Sequence, residues 1–131
     1  MELLNSLQSV HYDFLYQNMR DIIANNESVG KMQVRFVSKS LRDKHDAQLR
    51  HVSLEFRDTD TGRLKVSEKY SVVLNNGWRD EFCIALPNLD MSLDDIEKYE
   101  SKVPNIYIIG CMDCRHHVAD MLKLCYPVDK N

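Results

Sequence analysis

The sequence has no long apolar run, no block of basic residues and no basic segment ahead of its N-terminal apolar residues. A membrane-spanning helix needs about 20 consecutive apolar residues, and a general nucleic-acid binder needs a basic surface, which a net charge of −3 does not supply. The opening residues MELLNSLQ also lack the basic flank of a secretory signal. We therefore expect no integral membrane segment, no nucleic-acid partner and a cytoplasmic location.

The size of the chain and its cysteines favour a single reduced domain. A chain of 131 residues can bury a hydrophobic core without the help of disulfides or metal, and 44% apolar with 28% charged residues is typical of a globular protein. Without an export signal, the four cysteines are expected to be free thiols. We predict one domain over residues 1–131 and no cofactor.

The first part of the chain has the pattern of an amphipathic helix. Apolar residues recur with a period near 3.6 from residue 2 to residue 25, and Asn25, Asn26 and Gly30 then end the pattern. This predicts an N-terminal helix over residues 1–26 that packs on the core. The alternative is a helix that binds a protein partner or dimerises.

Residues 31–86 have the pattern of β-strands. The apolar period changes to two, and turn signals stand at 58–62 (DTDTG) and 75–77 (NNG). Pro87 is expected to stop the last strand. We predict an antiparallel meander whose first strand joins at an edge.

Residues 92–127 are predicted to form a helix, a short strand and a second helix. Ser92 is placed to cap a helix that runs until Pro104, NIYIIG is a short strand, and CRHHVADMLKLC is a helix that begins at Cys114. The predicted fold class is α+β, with an antiparallel sheet of four to five strands, a long N-terminal helix and a C-terminal helix that carries the cysteine at its start.

A thiol at a helix start has a specific chemical advantage. If Asp113 caps the last helix, Cys114 lies in its first turn, where the helix dipole and the unpaired N–H groups stabilise a thiolate and also an oxyanion. A base is then required. His116 points away from Cys114 on a helix, and His117 shares its side but follows by only three positions. His51, at the start of a central strand, could face the helix end from the sheet.

Two other interpretations of this region remain open. Cys111 and Cys114 have CxxC spacing, so with His116 or His117 and with Cys125 they could form a small structural zinc module. Ligands on both sides of one helix start do not converge easily on one ion, and the sequence has no second CxxC. The other interpretation is a buried cysteine with solvated histidines around it.

The segment YIIGCMDCRHHV resembles the tyrosine, apolar pair and NCEHFV motif of lecithin-retinol acyltransferase-like proteins and PPPDE peptidases. These families form the circularly permuted branch of the NlpC-type, papain-like superfamily. Tyr107 stands seven residues before Cys114, with His116 and Val118 in the places of the motif histidine and valine. DCRHHV is also similar to the DCSGFV of unpermuted NlpC peptidases, and HVSLEF to their HVGIYL strand. The similarity covers about residues 48–127.

This resemblance implies a permuted papain-like fold, with Cys114 as the nucleophile and His51 as its general base. The strand with the histidine precedes the helix with the cysteine, which is the permuted order. Asp113 stands where the motif has asparagine, and His117 where it has phenylalanine. The resemblance does not account for the N-terminal helix.

The resemblance leaves open which group orients His51 as the third catalytic residue. Pairing HVSLEF with RLKVSEKYS symmetrically about the 58–62 turn sets Lys69 opposite His51, with Ser67 and Ser71 beside it, and turns Glu68 to the other face. A bulge in the hairpin would bring Glu68 into line to orient the imidazole. Without one, Ser67 or a main-chain carbonyl must serve.

The expected function is that of a cysteine hydrolase or acyltransferase that forms a thioester. Its substrate is expected to be a peptide, an isopeptide or another soluble amide or ester. The alternatives are a catalytically inactive protein-interaction domain on the same scaffold, which binds its partner through the N-terminal helix, and the zinc module described above.

Overall fold

The computed structural model describes residues 12–41, 50–68, 78–104 and 114–128, which form an α+β structure. The elements in chain order are α1 (Tyr12–Asn25), β1 (Met32–Leu41), β2 (Arg50–Asp58), β3 (Leu64–Ser67), β4 (Trp78–Leu89), α2 (Leu93–Glu100) and α3 (Cys114–Cys125). The α+β class is confirmed. Residues 1–11 of the predicted first helix and the short strand predicted at 105–110 lie outside the described residues.

The four described strands form one antiparallel sheet in the order β3-β2-β1-β4. The predicted meander was therefore wrong, because β1 lies between β2 and β4 and not at an edge. The consecutive residues Phe36 and Val37 point to opposite faces of β1, and both are buried. A strand that is buried on both faces suits the interior of a sheet.

Strand β4 continues through Pro87, where the sequence analysis expected it to stop. Met32 pairs with Leu89 and Val34 with Leu86, so β4 has one extra residue at this point. Proline has no N–H to donate, and it is tolerated at such a bulge and on the outermost strand of a sheet. β4 is outermost among the described strands.

The three described helices and the sheet enclose one apolar core. Helix α1 buries Leu15, Met19 and Ile22 at helical spacing, and the sheet contributes alternate residues of β1 and β2. The largest fully buried side chains are Phe36, Phe56, Leu15, Met19, Met32, Leu54, Ile96, Met121, Leu122, Val37, Val52 and Val118. Among the helices described here, none combines the length and apolar character that a membrane span requires.

Helices α2 and α3 begin as the sequence predicts. The Ser92 side chain accepts a hydrogen bond from the Asp95 backbone N–H, and the Asp95 carboxylate accepts one from the Ser92 N–H, which together form a capping box. Helix α2 ends at Glu100, before Pro104. Helix α3 begins at Cys114 and buries the thiol. Asp113, its predicted cap, lies outside the described residues.

Two glycines with positive φ provide a test of this backbone. Gly30 (φ 83°) lies against β4, so that a Cβ there would stand 2.5 Å from the Leu89 oxygen, whereas a Cβ on Gly62 (φ 75°) would meet nothing within 4 Å. Gly62→Ala should lower the free energy of unfolding by about 1–2 kcal/mol, the cost of the left-handed conformation, and Gly30→Ala by clearly more. Urea denaturation of both variants measures this, and equal losses would contradict the close approach at Gly30.

Candidate active site

Cys114 is the first residue of α3, and its side chain belongs to the buried core. The helix packs against β2 with a face that repeats every three or four residues, as Cys114, Val118, Met121 and Cys125 show. The same periodicity that fixes the helix on the sheet therefore fixes the thiol at its N-terminal end. At this position the dipole of α3 favours a negative charge on sulfur.

His51 is hydrogen-bonded to both partners that a catalytic imidazole requires. Its Nε2 bonds to the Glu68 carboxylate, and its side chain also hydrogen-bonds the Cys114 side chain. The His51 side chain is 13% exposed and the Glu68 side chain 38% exposed. Hydrogen bonds thus join the three predicted site residues. They lie on β2 (His51), directly after β3 (Glu68) and at the start of α3 (Cys114).

Glu68 reaches His51 because of the register of the β2–β3 hairpin. The symmetric register in the sequence analysis was wrong by one residue, since Leu54 pairs with Ser67 and Arg57 with Leu64. The turn between the strands contains four residues, 59–62, with the Asp58 N–H bonded to the Arg63 carbonyl. Continued by one residue, this register puts Glu68 on the same face as His51, diagonally across the pair. The described hairpin needs no bulge for this.

The contacts at this site change the pKa values of His51 and Glu68. Burial lowers the pKa of His51, but the hydrogen bonds to Cys114 and Glu68, and the charges of both groups, outweigh burial and raise the pKa from 6.5 to about 9. The hydrogen bond with His51 is the main cause that lowers the pKa of Glu68 below 4.5. The charges of Lys39 and His117 act in the same direction. At neutral pH the imidazole is therefore cationic and lies beside a carboxylate.

A further hydrogen bond joins β3 to α3, and no pattern in the sequence predicts it. The Ser67 Oγ lies 2.8 Å from the His117 Nε2, and both side chains are buried. Ser67, one of the groups considered for orienting His51, bonds to His117 instead. Burial of His117 also contradicts the interpretation in which all histidines near the thiol are solvated. The one signal for this pair was the position of His117 on the same helix side as Cys114.

The described residues provide little for a zinc module. Cys125 follows Cys114 by eleven residues, about 16 Å along a helix, so the two sulfurs cannot share an ion, and burial raises the pKa of Cys125 to about 12. Within the described ranges, no group of three or more His, Cys, Asp or Glu side chains is arranged to hold a metal ion. Cys111, the other thiol of the CxxC spacing, lies outside those ranges.

The pH dependence of stability tests the His51–Glu68 pair. The folded pKa of His51 is raised, so its contribution is complete below pH 6.5 and is lost as the pH rises through about 9. The folded pKa of Glu68 is lowered, so its contribution is present above pH 4.5 and is lost as the pH falls. Glu68→Gln should therefore destabilise the protein most, by about 1 kcal/mol for a partly exposed pair, between pH 4.5 and 6.5.

Urea denaturation from pH 4.5 to pH 10 measures this difference, which should shrink as the pH rises from 6.5 to about 9. Glu100→Gln is the matched control, because Glu100 forms an ion pair with Lys65 at 2.9 Å that contains no histidine. Its effect should stay constant between pH 6 and 9. A constant effect of Glu68→Gln over that interval would contradict the ion pair with His51.

In comparisons with protein-family models, curated proteins and solved structures, this chain matches none of them.

Proposed function

We propose that this protein is a cysteine hydrolase or acyltransferase that acts on an amide, isopeptide or ester through a thioester intermediate. One observation carries the proposal: the His51 imidazole is hydrogen-bonded both to Glu68 and to the Cys114 side chain. A nucleophile, a base and a group that orients the base are the three parts of a catalytic triad. The resemblance of the cysteine and histidine motifs supports the same roles for Cys114 and His51.

In the first half of the reaction the acyl group moves to sulfur. In the resting site the imidazolium of His51 carries the proton that the Cys114 thiol has released, and we assign this proton to Nδ1 because Nε2 is bonded to Glu68. The thiolate forms a bond to the carbonyl carbon, and the carbonyl π electrons move to oxygen. The N–H groups of the first turn of α3 can stabilise this oxyanion. When the carbonyl reforms, the bond to the leaving group breaks, and the leaving amine or alcohol takes the proton from His51.

In the second half the thioester is resolved. Water, or an acceptor amine or alcohol, attacks the thioester carbonyl while His51 takes its proton. The thiolate leaves, and the free acid or the transferred acyl product is released. Glu68 stabilises the imidazolium that is present in both halves and keeps the ring in one orientation. Hydrolase and transferase thus differ only in the second nucleophile.

The proposal predicts a reversal of the reactivity expected from exposure. Cys83 is exposed and Cys114 is buried, so two ordinary thiols would react with iodoacetamide in the order Cys83, then Cys114. An activated thiolate should instead make Cys114 the first to be alkylated at neutral pH. Peptide mapping of the protein after brief labelling measures both rates in one sample.

Two variants make this experiment specific. His51→Ala should slow alkylation of Cys114 and leave Cys83 unchanged, because only Cys114 depends on the imidazole. Cys114→Ser should lose the covalent adduct with an activated acyl ester that the intact-mass spectrum of the wild type shows, and Cys83→Ser should keep it. Labelling in the order of exposure, with no effect of His51→Ala, would favour the alternative of an inactive protein-interaction domain.

A further inference from the structure

The buried Ser67–His117 pair has no role in the reaction described above. Its members are separated by 50 positions in the chain, and the hydrogen bond between them is 2.8 Å long. Ser67 has no exposed surface and His117 is 7% exposed. Stability alone does not account for a polar pair in a core that is otherwise mostly apolar, because an apolar pair of the same shape could be nearly as stable.

The position of the pair relates it directly to the triad. Ser67 is the residue before Glu68, and His117 lies one helical turn after Cys114 on the same side of α3. The hydrogen bond therefore joins the chain neighbours of two triad members that belong to different elements. With the bonds of His51 to Glu68 and Cys114, it completes a closed ring of contacts through β2, β3 and α3.

Glu68 is the residue that follows β3. Strand β3 is outermost among the described strands, and its described partner is β2. The last described pair of that ladder is Leu54 with Ser67, and Glu68 is the next residue. Strand ends that pair on one side are held by few backbone hydrogen bonds and open easily. Ser67 is thus the nearest fixed point for the Glu68 backbone.

We propose that Ser67 and His117 are positioning residues, whose hydrogen bond holds Glu68 at the distance from Cys114 at which one imidazole can bond to both. The inference rests on the proposed function for its catalytic meaning, although the geometric effect on His51 does not require that the protein is an enzyme. Ser67 acts through Glu68, and His117 acts through the first turn of α3. Neither is proposed to touch the substrate.

The test compares Ser67→Ala, Ser67→Thr, Glu68→Gln and the double variant Ser67→Ala/Glu68→Gln. Two quantities are measured: the pKa of His51, from the pH dependence of its imidazole NMR resonance, and the rate of Cys114 alkylation by iodoacetamide across the same pH range. The other charged and titratable groups that act on the His51–Glu68 pair are Cys114, Lys39 and His117. Ser67→Ala removes none of them.

If the bond positions Glu68, Ser67→Ala lowers the pKa of His51 in the same direction as Glu68→Gln. It also slows Cys114 alkylation at neutral pH by about threefold to tenfold, the effect of losing one hydrogen bond. The double variant shows no further change beyond Glu68→Gln, because both substitutions act on one contact. Ser67→Thr keeps the hydroxyl and the wild-type values. If its added methyl group disturbs the fold, as circular dichroism would show, the comparison of Ser67→Ala with Glu68→Gln and with the double variant still decides the role of the bond.

A role in packing alone predicts a different result. Ser67→Ala would then lower the melting temperature but leave the pKa of His51 and the pH profile of alkylation unchanged, or its effects would add to those of Glu68→Gln. Either outcome overturns the positioning role. If wild-type Cys114 reacts no faster than Cys83, the proposed function fails, while the NMR comparison of His51 still decides whether Ser67 positions Glu68.

Discussion

The imidazole of His51 needs two partners at once, and this requirement connects the chemistry of the site to the fold. A cationic ring that is only 13% exposed loses much of its hydration, and burial alone would lower its pKa. The carboxylate of Glu68 and the thiol of Cys114 reverse that effect. The two partners come from different elements, so the ring keeps its charge only while β2, β3 and α3 hold their relative positions. Loss of either contact should lower the pKa of His51, because both contacts raise it.

The relative positions depend on a turn that is remote from the chemistry. Four residues connect Asp58 with Arg63, and Gly62 adopts a positive φ at the end of this turn. A turn that is shorter by one residue would move every side chain of β3 to the opposite face of the sheet. Glu68 would then leave His51, and Ser67 would leave His117. The same hairpin register therefore sets both hydrogen bonds, that of Glu68 with His51 and that of Ser67 with His117.

The sequence predicted the parts of this site that local periodicity encodes. The helical spacing from Cys114 to Cys125 and the alternation from Val52 to Phe56 are strong signals, and both elements are present. The register of the hairpin depends on a turn of three or four residues, which DTDTG does not distinguish. Burial of both faces of β1 suits a position inside the sheet, between β2 and β4. The turn signal at 75–77 instead favours pairing of β3 with β4, which are neighbours in sequence. The Ser67–His117 bond joins residues far apart in the chain, and no periodicity marks it.

The stability of the fold does not require the buried hydrogen bond between Ser67 and His117. Hydrophobic residues of similar volume in place of Ser67 and His117 would lose one hydrogen bond and would gain apolar contact. A hydrogen bond, however, is directional and short, and it fixes two elements at one separation in a way that apolar contact does not. A fixed separation matters most where one imidazole bonds both to a carboxylate and to a nucleophile. In an enzyme site of this kind, a displacement of about 1 Å lowers the reaction rate about 100-fold. If the proposed reaction takes place, its geometry explains the hydrogen bonds between β2, β3 and α3 better than packing does.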